Sequence, residues 1–314
     1  MPANLTPQYM EAEEALQRAI TPEEKLDALE EMLRAIPKHK GTEKMQADIK
    51  RRIARLREAS EAARKKGKAD PYRVEREGAG QVFVVGPPNS GKSALVGALT
   101  KAKVVVAAYP FATAWPVPGM MKHEDILIQL VDTPPATGGN CPPALAASVR
   151  GGDAVIIVVD ASIDSCLDDL QDQLDLLEDR RVISDGRPCM VVLSKMDLPG
   201  AAGNAEILIE AYPEARFALV SVQSGAGFQE LPGAVFEMLG IIRLYAKPPG
   251  REVDRAAPFV LKRGGTVADL ARAIHRDLSR TMKSARVWGS ARFDGQPVPR
   301  EYVLSDGDVV EFRT

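Results

Sequence analysis

Short, largely apolar runs recur through the middle of the chain at 81–85, 126–131, 154–159, 190–193 and 217–220, each bounded by turn-forming residues. Runs of this length and hydrophobicity predict strands of a parallel sheet buried on both faces. The stretches 168–180 and 227–239 predict helices between them. A doubly wound α/β unit follows, with ligand loops expected at the carboxyl ends of its strands. Toward the N-terminus the period lengthens. Leu26, Leu29, Leu33 and Ile36 keep helical spacing behind Thr21-Pro22-Glu23-Glu24, a capping Thr with Pro and acids in the first turn, and Pro37 stops that helix. Met45, Ile49, Ile53 and Leu56 predict a second helix over 42–63, so residues 1–78 read as a helical hairpin joined by the basic turn Pro37-Lys38-His39-Lys40-Gly41.

After Pro248-Pro249-Gly250 the pattern changes again. Strands are predicted at 257–261, 285–288, 302–304 and 309–312, around a helix capped by Thr266 that carries Val267, Leu270, Ile274 and Leu278. A small sheet on one helix, the β-grasp, is the economical architecture for 250–314. With Asp70-Pro71 and Gly78-Ala79-Gly80 as a hinge, the middle unit spans 79–247.

A chain of 314 residues has room for three such units. Its net charge of −2 means that any contact with nucleic acid must be local. One local candidate exists. Lys50, Arg51, Arg52, Arg55, Arg57, Arg64, Lys65, Lys66 and Lys68 outnumber the acids around them. A solvated helix face accounts for such a run, and contact with RNA, helped by the basic turn, accounts for it too. The apolar runs are too short to cross a bilayer, the start has no signal-peptide pattern, and Cys141, Cys166 and Cys189 keep no metal-ligand spacing. The expectation is a soluble, cytoplasmic chain with no membrane partner. His275, beside core Ile274, reads as structural or partner-facing.

Chemistry enters at Gly86-Pro87-Pro88-Asn89-Ser90-Gly91-Lys92-Ser93, which fits G-x-x-x-x-G-K-[ST]. A Gly/Pro-rich turn can join strand to helix without binding anything. Here a predicted strand precedes the motif and Ala94-Leu95-Val96 opens a helix, the context a phosphate loop requires. In such a loop backbone N–H groups and a helix N-terminus converge on phosphates, the lysine reaches the β- and γ-phosphates and the serine hydroxyl ligates Mg²⁺. Asp132, ending the next strand, suits a water-mediated Mg²⁺ contact. Ser194-Lys195-Met196-Asp197 varies the N-K-x-D guanine motif, in which the carboxylate accepts from guanine N1 and N2, a donor pair adenine lacks. Ser221-Val222-Gln223 then offers a backbone N–H to guanine O6. Their order along the chain favours guanine over adenine nucleotides.

Three stretches resemble the Obg/DRG branch of GTPases, specifically its DRG-like members. Tyr109-Pro110-Phe111-Ala112-Thr113 followed by Pro116-Val117-Pro118-Gly119 is similar to that branch's switch I signature. Ile36-Pro37-Lys38-His39-Lys40-Gly41-Thr42-Glu43-Lys44 resembles its basic N-terminus, and 285–310 resembles its TGS domain, a β-grasp module. The resemblance implies a P-loop GTPase fold with GTP/GDP and Mg²⁺ as ligands. It makes Thr113 the switch I ligand to Mg²⁺ and Asn89 a partner for K⁺. It also implies a ribosome or RNA partner, met by the N-terminal helices and the TGS domain. Nucleotide contacts are then expected from Gly86, Asn89, Ser90, Gly91, Lys92, Ser93, Ala94, Phe111, Ala112, Thr113, Asp132, Ser194, Lys195, Asp197, Ser221, Val222 and Gln223, with Lys92 and Thr113 acting in hydrolysis.

The departures concentrate in switch II. Asp132-Thr133-Pro134-Pro135 puts proline where D-x-P-G has the glycine whose N–H meets the γ-phosphate. Ala136 stands where Ras-like enzymes orient water. Ala112 and Ser194 are milder replacements. Two readings follow: a slow GTPase switch, or an RNA- or ribosome-binding adaptor that holds guanine nucleotide without significant turnover.

Overall fold

The computed structural model describes residues 7–19, 22–36, 42–65, 70–100, 115–137, 141–183, 186–255 and 257–313. Three helices come first: α1 (Pro7–Arg18), α2 (Pro22–Ala35) and α3 (Glu43–Lys65). They share a core of Tyr9, Ala12, Leu29, Met32, Ile36, Ile49 and Ile53. The predicted hairpin is therefore a three-helix unit. The first helix escapes periodicity because its buried stripe is Tyr9 and Ala12 rather than a row of leucines.

The middle of the chain forms β1 (Gln81–Val85), α4 (Lys92–Leu99), β2 (Val117–His123), β3 (Ile126–Asp132), α5 (Pro143–Gly151), β4 (Ala154–Asp160), α6 (Cys166–Asp179), β5 (Cys189–Ser194), α7 (Ala201–Ala211), β6 (Phe217–Leu219) and α8 (Leu231–Leu239). The sheet order is β2-β3-β1-β4-β5-β6. All pairings are parallel except β2 with β3. The period of two in β1 divides its side chains between the two faces. Phe83 and Val85 join the core beneath α5, α6 and α7, whereas Val82 and Val84 join the core beneath α4 and α8. Each fully buried Val, Leu or Phe contributes roughly 1.5–3 kcal/mol, so the central strands anchor the unit. β1 lies between β3 and β4, and the chain therefore leaves it toward opposite sides. This switch point is where doubly wound sheets hold ligands.

Strand β2 escapes the hydrophobic pattern because Pro118 and Gly119 read as turn residues. It is an edge strand, where proline is tolerated. Gly119 is required there, since a Cβ would lie 2.5 Å from Thr100 Oγ1. Helix α8 begins at Leu231, four residues later than the pattern suggests.

The second sheet has the order β10-β9-β11-β7-β8. Its members are β7 (Ile241–Ala246), β8 (Phe259–Lys262), β9 (Ser284–Trp288), β10 (Gln296–Val298) and β11 (Val309–Arg313), with α9 (Val267–Ile274) and α10 (Arg276–Thr281) packed on it. Thr266 caps α9 in a reciprocal box with Asp269. His275 ends α9 and its side chain caps α10, dividing the single helix predicted. Two further differences stand out. The predicted strand at 302–304 is reduced to one bridge, Thr266 to Val303, and β10 forms instead at 296–298. Residues 241–246, within the stretch read as nucleotide domain, form β7 of this second sheet.

Candidate functional site

Strand β1 delivers Gly86 to the tips of β3 and β4. The loop passes so close to β4 that a Cβ on Gly86 would lie 2.3 Å from Val158 O, and its φ of 148° suits only glycine. Asn89 and Gly91 also adopt positive φ, 60° and 94°, and Gly91 becomes the N-cap of α4. Lys92 is buried. Its Nζ donates to Gly86 O at 2.9 Å and Pro87 O at 2.6 Å. Burial pushes the ammonium down to about 8, with Asp132 opposing the shift. The ammonium is thus wrapped by the loop that it would serve.

Ser93 Oγ donates to Asp132 Oδ2 at 2.6 Å. A hydroxyl and a buried carboxylate in contact at the head of a helix are the hard oxygen donors that Mg²⁺ accepts. Asp132 is placed by the parallel register that sets it beside Val84. The next residue, Thr133, is fixed to the same strand, donating from Oγ1 to Val84 O at 2.8 Å.

The end expected to read the base closes differently. Ser194 Oγ donates to Ser90 O at 2.6 Å and to Val159 O at 3.1 Å. The serine in place of the motif's asparagine thereby ties β5 to the phosphate loop. Lys195, at φ 58°, forms an ion pair with Asp160 at the end of β4. Burial raises the Asp160 carboxyl, but hydrogen bonds from Lys195 and Ser162 outweigh it and hold the group below its ordinary value. Ser221 Oγ donates to Asp197 Oδ1 at 2.5 Å and accepts from Ser224 N–H at 3.0 Å. Val222 and Gln223 are exposed beside it.

The structure therefore gathers 86–94, Asp132, 194–197 and Ser221 at the carboxyl ends of β1, β3, β5 and β6. Phe111, Ala112 and Thr113 lie outside the described residues, as do Gly138 and Gly139. Pro135 and Ala136 lead away from Asp132, and Ala136 O accepts from Gln173 Nε2 at 2.8 Å. Gln173 is buried on α6 and its Oε1 has no donor. Sequence reasoning misses Gln173, whose only signal is a polar residue on the core stripe of an amphipathic helix. It also misses Asp160, an acid ending the apolar run 154–159, and Tyr72. The Tyr72 ring packs 5.5 Å from that of Trp115, just before β2, while its carbonyl accepts from Ser148 on α5. An open cavity of about 460 Å³ lined by Arg150, Asp179, Arg180 and Arg181 contains none of the phosphate-loop or base-end residues. No helix among the described residues is long and apolar enough to cross a membrane, and they contain no cluster of metal-binding side chains.

Residues 81–195 match the family described as 50S ribosome-binding GTPase, and residues 242–314 match the TGS domain. An uncharacterized GTP-binding protein of Methanocaldococcus jannaschii is 27% identical over 92% of this chain and 92% of its own length. Developmentally-regulated G-protein 1 of Arabidopsis thaliana is 26% identical over 92% of this chain and 90% of its own. Both alignments are longer than the 314-residue chain, so the relatives carry segments that this chain lacks. Among solved structures, a GTP-binding protein of Sulfolobus solfataricus in complex with GDP is 20% identical, with 74% of this chain and 67% of that one covered and a TM-score of 0.41.

Proposed function

We infer that this chain, a DRG-like P-loop GTPase-fold protein with a C-terminal TGS domain, binds guanine nucleotide at the loop 86–93 and turns GTP over slowly as a switch. The carrying observation is the convergence at one sheet edge of a phosphate loop, the Ser93–Asp132 pair and Asp197 held by Ser221. Lys92 and the loop N–H groups hold the phosphates, and Asp197 accepts from guanine N1 and N2. Ser93 and Asp132, the latter through water, would hold Mg²⁺, with Thr113 as the expected further ligand, and the ion would supply charge neutralisation to the phosphates. Asn89 is the K⁺ contact in this reading. Hydrolysis then rests on positioning and electrostatics, since Ala136 presents no group to orient water and Pro135 no N–H.

The unpaired thiols Cys141, Cys166 and Cys189 suit a reducing, cytoplasmic setting. The partner we assign is an RNA-containing assembly such as the ribosome, met by α3 and the TGS domain. On α3, Arg57 pairs with Glu30 and Arg52 with Asp48, so Lys50, Arg51 and Arg55 carry the exposed charge outward.

A second reading is favoured by Pro135 together with the Gln173 bond to Ala136: an adaptor that holds nucleotide without turnover. Single-turnover assays with GTP and Mg²⁺, in K⁺ or Na⁺ at equal ionic strength, separate the two. Measurable hydrolysis, faster in K⁺, is expected. Absence of turnover with intact GDP binding selects the adaptor, and equal rates in both salts remove K⁺ from Asn89.

A further inference from the structure

Hairpin β2–β3 is the ladder that joins the end of switch I to the start of switch II. Val117 pairs with Asp132 at one end and His123 with Ile126 at the other, so seven residue pairs separate the nucleotide corner from the turn Glu124-Asp125. At about 3.4 Å per residue the ladder is a lever of roughly 20 Å.

That turn is gripped from the second sheet. Arg243 on β7 has one of the most heavily used guanidiniums in the molecule. Its Nη2 donates to Asp306 Oδ2 at 2.7 Å and its Nε to Asp306 Oδ1 at 3.1 Å. Its Nη1 donates to Asp125 Oδ1 at 3.1 Å and also to Glu124. The Arg243 backbone N–H adds a bond of 2.6 Å to Asp306. The guanidinium lies over the Phe236 ring of α8, 5.2 Å from its centre, and only 12% of the side chain is exposed. Tyr245, two residues along the same strand, donates its hydroxyl to Asp125. One cation therefore holds three carboxylates from two units, and without it those carboxylates repel one another.

We propose that Arg243 is a positioning residue for the nucleotide site, acting through the β2–β3 ladder, so that the TGS domain and the γ-phosphate end are thermodynamically coupled. The proposal rests on the guanine-nucleotide reading above. Asp132, which ends the lever, takes its register from β3, and β3 begins one residue after the gripped Asp125. A nucleotide that draws the switch segments together shifts the ladder and loads the grip. By reciprocity, a partner that moves the TGS domain alters the preference for GTP over GDP.

The test compares the full-length chain with Arg243→Gln and, at the 124–125 turn, with the double variant Glu124→Gln/Asp125→Asn. Affinities for GDP and a non-hydrolysable GTP analogue are measured with Mg²⁺, and amide exchange is followed across 303–308. In the parent, exchange at 303–308 should differ between the two nucleotides. Both variants should abolish that difference and change the analogue-to-GDP affinity ratio by roughly fivefold or more, the lower end of ordinary allosteric coupling. Arg243→Lys, which keeps the charge but loses the fork, should recover part of it. A parent that binds both nucleotides, with variants whose ratio stays within twofold of it, overturns the coupling alone. A parent that binds neither nucleotide overturns the guanine-nucleotide reading and the coupling with it. A loss of thermal stability without a change in ratio marks Arg243 as structural only and also overturns the proposal.

Discussion

The two ends of the candidate nucleotide site are built on different principles. At the base end the polar side chains are tied to one another or to the phosphate loop: Ser194 to Ser90, Lys195 to Asp160, Ser221 to Asp197. The contacts come from neighbouring strand tips and need no help from outside. At the γ-phosphate end the backbone after Asp132 is held from below, by Thr133 on Val84 and by Gln173 on Ala136. That segment also carries two consecutive prolines, Pro134 and Pro135. A switch II of this kind is restrained at the place where a GTPase ordinarily gains a hydrogen bond. In the proposed reading, recognition of the base and response to the third phosphate are therefore separable, and each can be tested alone.

Asp197→Asn breaks the comparison at its strong end. It places a donor against guanine N–H groups and removes a charge-assisted bond, a loss of about 2–4 kcal/mol, or roughly 30- to 800-fold in affinity. Calorimetry with GDP should show that loss, while ADP binding stays weak throughout. Undiminished GDP binding would remove Asp197 from the base site.

Pro135→Gly acts at the other end. The restored N–H is worth about 1.5–3 kcal/mol to a charged oxygen, roughly 10- to 150-fold for a GTP analogue. GDP does not reach that position, so its affinity should move by less than about twofold. An analogue affinity that does not respond means that another donor already serves the γ-phosphate.

The smaller effect of Gln173→Leu sharpens the contrast. It leaves the buried Ala136 carbonyl without its donor and removes a bond worth about 0.5–1.5 kcal/mol. The unpartnered Oε1 disappears with it, which offsets part of the loss. Amide exchange over 133–137 should accelerate with GDP affinity unchanged. If exchange there is as slow as in the parent, the prolines alone restrain the segment.

Acidification gives the mildest effect, at the grip on Arg243. Burial raises the Asp125 and Asp306 carboxyls, but bonds from Tyr245 and Arg243 to Asp125, and from Arg243 to Asp306, hold both below 3.8. Depressed carboxylates add stability that is present above their ordinary value and lost as pH falls through the lowered one. Protection from exchange at 124–125 and 303–308, taken relative to the intrinsic rate at each pH, should therefore stay constant from neutral pH down to the ordinary carboxylate value of about 3.9, and fall only below it. A loss of protection at higher pH would mean that these carboxylates are not held by arginine.

The sequence made the parallel strands and the motifs at their tips legible because short apolar runs and glycine-dependent turns are local signals. Gly86, Lys92 and Asp197 each lie where strand ends make them converge. What escaped was decided by tertiary context. Pro118 sits in a strand because that strand is an edge. Ile241–Ala246 belongs to the second sheet because it pairs with β11, more than sixty residues away. Gln173 matters because Ala136 passes beneath it. Such relations have no period to read.

The order of β-strands in the second sheet carries a consequence for how the molecule is made. Strand β11 lies in the middle of that sheet and bridges β9 to β7. During synthesis β7 emerges long before β11, and the six-stranded sheet has all its strands before either is paired. The loop closed by the β7–β11 pairing must wait for translation to pass residue 309. Asp306 comes just before it, so the bidentate hold on Arg243 is also among the last interactions to form. A nascent chain stalled short of that point therefore has its phosphate loop and the bonds from Arg243 and Tyr245 to the 124–125 turn, but not the Asp306 side of the grip. In the proposed coupling, only a chain read through to β11 has the complete connection between its second sheet and the β2–β3 ladder.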